Sequence, residues 1–157
     1  RSTLFPYTTL FRSYKPKIEF TLLDSLNKRL TFLSVVNNEL GLNANLVHSR
    51  AEVSGQEENY REKFDLATAR AVAPMNVLSE YCIPFVKEGG AFVALKGSND
   101  DVSEAGNAIE VLGGRLESNI SYELGGTEAR TIAVVRKISQ TPTQYPRKSK
   151  KISIKPL

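Results

Sequence analysis

Apolar and polar residues alternate in blocks whose length and spacing change along the chain. Residues 18–23, IEFTLL, form a short β-prone run, which predicts a strand buried on both faces. Asp24 and Ser25 follow as cap residues. Leu26, Leu30, Leu33, Val36 and Leu40 then recur at helical spacing as far as a stop at Gly41. Residues 44–47 predict a second short strand, and the polar stretch 54–63 a short helix or loop. Residues 64–69, FDLATA, predict a third strand ending at Arg70. Pro74 suits a first helical turn, and Met75, Leu78, Cys82 and Phe85 give that helix an apolar face, with Pro84 and Gly89-Gly90 as its end. A fourth strand over 91–95 ends at Lys96-Gly97, and a helix over 100–112 stops at Gly113-Gly114. Two last strands, 116–122 and 131–136, flank a Gly125-Gly126 loop and pair antiparallel. Strands alternating with helices define an open α/β class with a mainly parallel sheet and right-handed crossovers. Residues 139–157, with three prolines and alternating basic residues, are expected to be disordered or extended.

Length and composition narrow this picture. A chain of 157 residues holds one domain with a sizeable core, and 41% hydrophobic with 24% charged residues is ordinary for a soluble globular protein. No apolar run approaches the roughly 20 residues of a membrane helix, and no secretory h-region is present. Cys82 is the single cysteine, so an internal disulfide and a cysteine-based metal cluster are both excluded, and a cytoplasmic location is expected. The net charge of +4 is unevenly placed. No Asp or Glu follows Glu128, while Arg136, Lys137, Arg147, Lys148, Lys150, Lys151 and Lys155 crowd the C-terminal stretch. Without those residues the balance is slightly negative, so a polyanionic partner is indicated by the tail and not by the body.

The first thirteen residues, RSTLFPYTTLFRS, fit neither period. Residues 3–13 can be translated codon by codon from a common sequencing-library adaptor, so residues 1–13 are expected to be an adaptor-derived artefact. Resequencing the source locus tests this, and a native genomic codon series for the peptide would refute it. The expected organisation is then a partial α/β domain over 14–138 and a basic, proline-containing tail over 139–157.

In open α/β sheets ligands bind beyond the carboxyl ends of the strands. Asp24, Ala51 with Glu52, Arg70, Lys96 and Arg130 fall there. Asp24 can accept two ribose hydroxyls of a nucleoside cofactor or merely cap the following helix. Glu52 can flank an adenine ring or sit as a solvated loop charge. Arg70 brings a fork of donors suited to phosphate or carboxylate, although an ion pair with a neighbouring carboxylate has the same requirements. Lys96 has a similar position, and Arg130 divides between surface charge and RNA contact. His48, the only histidine, has no partner at catalytic spacing and is expected to be structural. Cys82 is expected to pack. No Ser-His-Asp set and no metal-ligand cluster can be assembled, so any chemistry must proceed without a histidine base.

The blocks TLLDSLNKRLTFL (21–33), SRAE (49–52), ATARAVAP (67–74), GGAFVALKG (89–97) and ARTIAVVRK (129–137) resemble the RsmG, or GidB, family. The basic QYPRK (144–148) is similar to its Firmicutes-like members. These families comprise bacterial small-subunit ribosomal RNA guanine-N7 methyltransferases. The resemblance implies a Rossmann-like class I methyltransferase sheet with S-adenosylmethionine as donor and small-subunit ribosomal RNA as partner. It implies cofactor contacts from Asp24, Ser25, Leu26, Ala51, Glu52 and Arg70. It also implies RNA contacts from Arg70, Lys96, Arg130, Arg147 and Lys148, with no metal and a monomeric protein. No residue is assigned a proton-transfer role, because catalysis is by positioning. The family's first strand and DxGxGxGxPG-like loop are absent from this sequence, so the sheet is expected to lack its first strand and the chain to bind the cofactor weakly or not at all. Three other readings stay open: a nicotinamide-dependent oxidoreductase, which would need a glycine fingerprint, a non-catalytic RNA-binding fragment, and a truncated product of the family with no activity of its own.

Overall fold

A computed structural model describes residues 18–70, 72–97, 102–125 and 128–157. Residues 1–13 therefore lie outside the described residues, as do Ala71, Gly126 and the expected helix start at Asp100. Two compact units are formed, Arg1–Ala51 and Glu52–Leu157.

In the first unit, strand β1 (Thr21–Asp24) runs parallel to β2 (Asn45–His48), with Thr21 opposite Asn45 and Asp24 opposite His48. Helix α1 (Asn27–Glu39) connects them, burying Leu30 and Leu33. Leu26 and Leu40, the outer members of the expected apolar stripe, are half exposed instead, and β1 is intermediate in burial along its length. Gly41 closes the helix as expected, its amide donating to the Asn38 carbonyl at 3.2 Å. Asn37 fixes the turn into β2, its Oδ1 accepting from the Ala44 amide at 2.8 Å.

The second unit is built on a four-stranded sheet of order β3-β4-β6-β5, comprising β3 (Phe64–Arg70), β4 (Val86–Gly97), β5 (Gly114–Leu124) and β6 (Glu128–Lys137). β3 and β4 are parallel, and β6 is antiparallel to both β4 and β5, as the expected closing hairpin requires. Between β2 and β3 comes the single turn α2 (Ala51–Ser54). Helix α3 (Met75–Cys82) and the short α4 (Gly106–Val111) cover the sheet. Met75, Leu78, Phe92, Ile109, Leu112 and Val135 form the centre of the core. The 3₁₀ turn Ile83–Phe85 follows α3 directly and contains Pro84, one of the two expected stops. Gly89-Gly90 does not end the helix. It lies within β4, where Gly89 adopts φ +79° and the β3–β4 register jumps from Phe64↔Val86 to Leu66↔Ala91. The pair is thus an irregularity in a strand rather than a helix stop.

Gly113 is constrained in two ways. Its φ is +82°, and a Cβ there would run into the backbone carbonyl of Ser139. Its own carbonyl accepts from the Ile138 and Ser139 amides at 2.8 and 3.1 Å, so this crossing holds the end of β6. Gly113→Ala is expected to lower stability by about 1–3 kcal/mol from backbone strain, with the contact adding to that. Gly106→Ala, in a helix with open space around the site, should be neutral or slightly stabilising. A urea midpoint lowered in Gly113→Ala but not in Gly106→Ala supports this account, and equal shifts would contradict it.

The expectation of a disordered or extended tail is overturned. Residues 139–157 dock on the second unit and end in helix α5 (Ser149–Ile154), with Ile152 fully buried and Leu157 packed against the core. Composition misled because the segment's prolines and lysines are matched by partners far away in sequence. Arg61 donates to the carbonyls of Thr141, Pro142 and Tyr145 at 2.6, 3.2 and 2.7 Å. Gln56 Nε2 donates to Pro146 O at 2.9 Å. Lys137 Nζ reaches Glu62 Oε1 at 2.7 Å and Thr141 Oγ1 at 2.6 Å, and the Thr141 amide donates to the same Glu62 oxygen.

This cluster makes stability pH-dependent. Burial raises the Glu62 pKa, but hydrogen bonds from Lys137 and the Thr141 backbone, with the charges of Lys137 and Arg61, outweigh it and hold the carboxyl below its ordinary value of 4.5. A depressed carboxylate contributes stability that is complete above the unfolded value and is lost as pH falls through the folded one. Urea midpoints should therefore fall with pH below about 4.5, and Glu62→Gln should flatten that part of the profile. An unchanged acid slope in the variant would refute the assignment.

Candidate functional site

Asp24 ends β1, where the chain leaves the sheet. Its Oδ1 accepts the Leu26 amide at 2.8 Å and its Oδ2 meets Arg29 Nη1 at 3.3 Å. The helix N-cap is Leu26, which makes no side-chain cap bond, so Asp24 and Ser25 are not the cap residues expected. Asp24 instead turns the chain two residues ahead of the helix, and Ser25 and Leu26 lie exposed at that turn. A carboxylate has about four lone-pair directions, and two are occupied here, so Asp24 keeps acceptor capacity for hydroxyl donors. His48 fills the structural role expected of it: Nε2 lies 3.1 Å from the Ser25 carbonyl, which fixes the nitrogen as the donor and pins the turn. Ala51 opens α2 and Glu52 follows it.

In the second unit, three cations stand at one end of the sheet's strands. Arg70 is the last residue of β3 and pairs with Leu95. Lys96 and Gly97 end β4 and pair with Thr131 and Arg130 of β6. Register thus places Arg70, Lys96 and Arg130 on neighbouring rungs at the carboxyl end of β3 and β4, where α/β sheets bind ligands, with Arg70 and Arg130 on one face of the sheet and Lys96 on the other. Their side chains differ in setting. Lys96 is 4% exposed and donates to the Ala73 carbonyl at 2.6 Å, whereas Arg70 and Arg130 are half-buried.

Glu52, Arg147 and Lys148 converge elsewhere in this unit. They line an open groove of about 510 Å³ together with Gln56, Gln144 and Pro146. Arg147 is turned inward. Its Nε and Nη2 grip the Glu80 carboxylate at 2.8 and 2.6 Å, its own backbone amide donates to Glu80 Oε1 at 2.8 Å, and its guanidinium carbon lies 5.8 Å from the Tyr145 ring centre. The bond to Glu80 raises the Arg147 pKa further, so the guanidinium stays charged. Lys148 is exposed. Sequence reasoning missed Glu80, Glu62 and Arg61. Glu80 lies on a helix whose apolar spacing was legible, but nothing local marks it as fully buried. Cys82 packs as expected, and burial pushes its thiol up to about 12, far from a nucleophile's range.

The family model described as GidB, rRNA small subunit methyltransferase G, matches residues 10–141. Ribosomal RNA small subunit methyltransferase G of Alkaliphilus metalliredigens is 51% identical over 148 residues, covering 92% of this chain and 62% of the relative. That of Lactobacillus johnsonii is 52% identical over 146 residues, covering 90% and 61%. The chain therefore spans about three fifths of the length of the curated relatives it matches. Among solved structures, a mutant 16S rRNA (adenine(1408)-N(1))-methyltransferase from Catenulisporales acidiphilia superposes with a TM-score of 0.70 at 13% identity, covering 89% of this chain and 81% of that one. A precorrin-6y C5,15-methyltransferase from Geobacter metallireducens gives 0.59 at 16%, covering 83% and 72%. These likenesses establish the Rossmann-like α/β fold of class I methyltransferases. Identity near one half over nine tenths of its length, with the family model matched across most of it, makes this chain a member of the rRNA small subunit methyltransferase G (GidB) family.

Proposed function

We propose that the protein transfers a methyl group from S-adenosylmethionine to the N7 nitrogen of a guanine in small-subunit ribosomal RNA, in the cytoplasm and as a monomer. The observation that carries the reading is the identity of about one half to relatives named as small-subunit rRNA methyltransferases. A related fold has been solved with the cosubstrate S-adenosylmethionine, at a TM-score of 0.68. The residues suit such a group. Asp24, with Ser25 and Leu26, offers a carboxylate with spare acceptor positions for ribose hydroxyls, and Ala51 with Glu52 would border the adenine. Arg70 supplies donors for the cofactor or the RNA.

When bound, the sulfonium supplies an activated methyl group. The guanine N7 already has a lone pair, so the chain need remove no proton, consistent with a single histidine committed to a backbone carbonyl. What the chain contributes is approach and alignment of the two reactants. Arg70, Lys96 and Arg130 would hold RNA at the carboxyl end of β3 and β4. Lys96 would act there through the Ala73 loop that its ammonium fixes. Lys148 would contact phosphate directly, and Arg147 would act through its grip on Glu80. N7 lies in the deep groove of A-form RNA, so the target base is expected in an open or single-stranded region.

The test is a chimera in which the part of the Lactobacillus johnsonii relative preceding its matched region is joined ahead of Tyr14. It is incubated with methyl-labelled S-adenosylmethionine and small-subunit RNA. Label in 7-methylguanosine, lost on Arg70→Ala, is the expected result. Label on another base atom, or no transfer by a folded chimera, would overturn the reading.

A further inference from the structure

From Arg130 onward every formal charge in the chain is positive, and five of those cations fall within residues 139–157. A loose basic tail would lose much chain entropy on meeting a polyanion. This one is already ordered. Arg61 and Gln56 hold its backbone carbonyls, Arg147 is locked to the buried Glu80, and Ile152 is sunk into the body. Lys148, Lys150, Lys151 and Lys155 are left exposed on and beside α5. The groove bordered by Lys148, with the Gln56 and Gln144 amides and the Pro146 ring, lies next to them.

We propose that this fastened segment is a second RNA-contact platform, in which Lys148, Lys150, Lys151 and Lys155 engage backbone phosphates flanking the target base. Arg147 and Glu80 are positioning residues that hold the array in register. The inference rests on the ribosomal RNA reading above and adds a surface to it. RNA is favoured over an anionic membrane by the shape of the segment. α5 has six residues, and Ile152, one of its two aliphatic side chains, is turned into the body. That leaves no apolar face to insert, since an interfacial helix needs a continuous one.

The 157-residue chain is titrated with a fluorescent single-stranded RNA from the small subunit over a salt series. Each phosphate contact contributes about 0.7 to the slope of log affinity against log salt on single strands. Replacing Lys150, Lys151 and Lys155 together with Gln should reduce that slope by about 2 and weaken low-salt binding by about tenfold or more. The melting temperature should be unchanged, because all three side chains are exposed. Arg147→Lys keeps the net charge but loses the fork, and should weaken RNA binding several-fold under conditions where the chain is folded. A purely structural role would move its melting temperature alone, and that result overturns the positioning role. An unchanged slope in the triple variant overturns the platform. So does a variant that loses binding to phosphatidylserine vesicles but not to RNA. The titration needs neither cofactor nor methyl transfer, so failure of the chimera assay leaves its outcome readable.

Discussion

Replacing Arg147 with methionine is expected to lower the stability of the second unit by about 3–5 kcal/mol, the usual cost of leaving a buried ion-pair partner uncompensated. Glu80 is fully buried, and both of its carboxylate oxygens are taken up by Arg147. Removing the guanidinium strands a charge that must either ionise in an apolar setting or take up a proton. The chain has one escape, which is to peel residues 139–157 away and return water to Glu80. The loss is then limited by the free energy with which that segment docks, and protease sensitivity at the C-terminal end should rise with it. The pair itself need not be net stabilising, because desolvation offsets much of the attraction. A double variant, Glu80→Leu with Arg147→Met, should therefore recover most of the loss. Denaturation midpoints for the parent, single and double variants decide the matter. If the double variant is as unstable as the single, the stranded charge is not the cause.

That pair also marks the boundary of what was legible in the sequence. Periodicity located each of β1 to β6 and the main helices, because each element carries its own apolar pattern, but β4 begins five residues ahead of the expected strand and the helix expected over 100–112 is α-helical only over Gly106–Val111. Strand ends then placed Arg70 and Lys96, since a carboxyl terminus is a backbone property, while Arg130, expected just before the last strand, lies within β6 opposite Gly97. Side-chain commitments were not legible. Lys96 bends to Ala73, 23 residues away, and Glu80 finds Arg147 across 67. No local spacing encodes such partners. Gly89-Gly90 misled for a related reason: a glycine pair after a helical pattern suits a stop, but Pro84 had already ended the helix, and the positive φ of Gly89 serves a strand irregularity. The tail misled most. Its composition describes a solvated segment, whereas Arg61, Gln56, Glu62 and Glu80, all distant in sequence, give its backbone and charge somewhere to go.

The 157-residue chain is expected to bind S-adenosylmethionine about a thousandfold more weakly than the chimera described above. Among the described residues β1 hydrogen-bonds only to β2 and β3 only to β4, so each sheet has an open strand edge. On β3 that edge carries Leu66 at 49% exposure, an aliphatic side chain that a neighbouring strand would cover. No two of the ten glycines in the sequence stand at the G-x-G spacing that lets backbone approach a nucleoside cofactor's charged end. The methionine carboxylate and amine of the cofactor would then lack backbone partners. Two charge-assisted hydrogen bonds of about 2 kcal/mol each amount to about 4 kcal/mol, which is about a thousandfold in affinity. Calorimetric titration of both proteins measures the difference directly. Micromolar affinity in the 157-residue chain would mean that the residues described here already hold the whole cofactor, and Asp24→Ala would then be the variant that abolishes it.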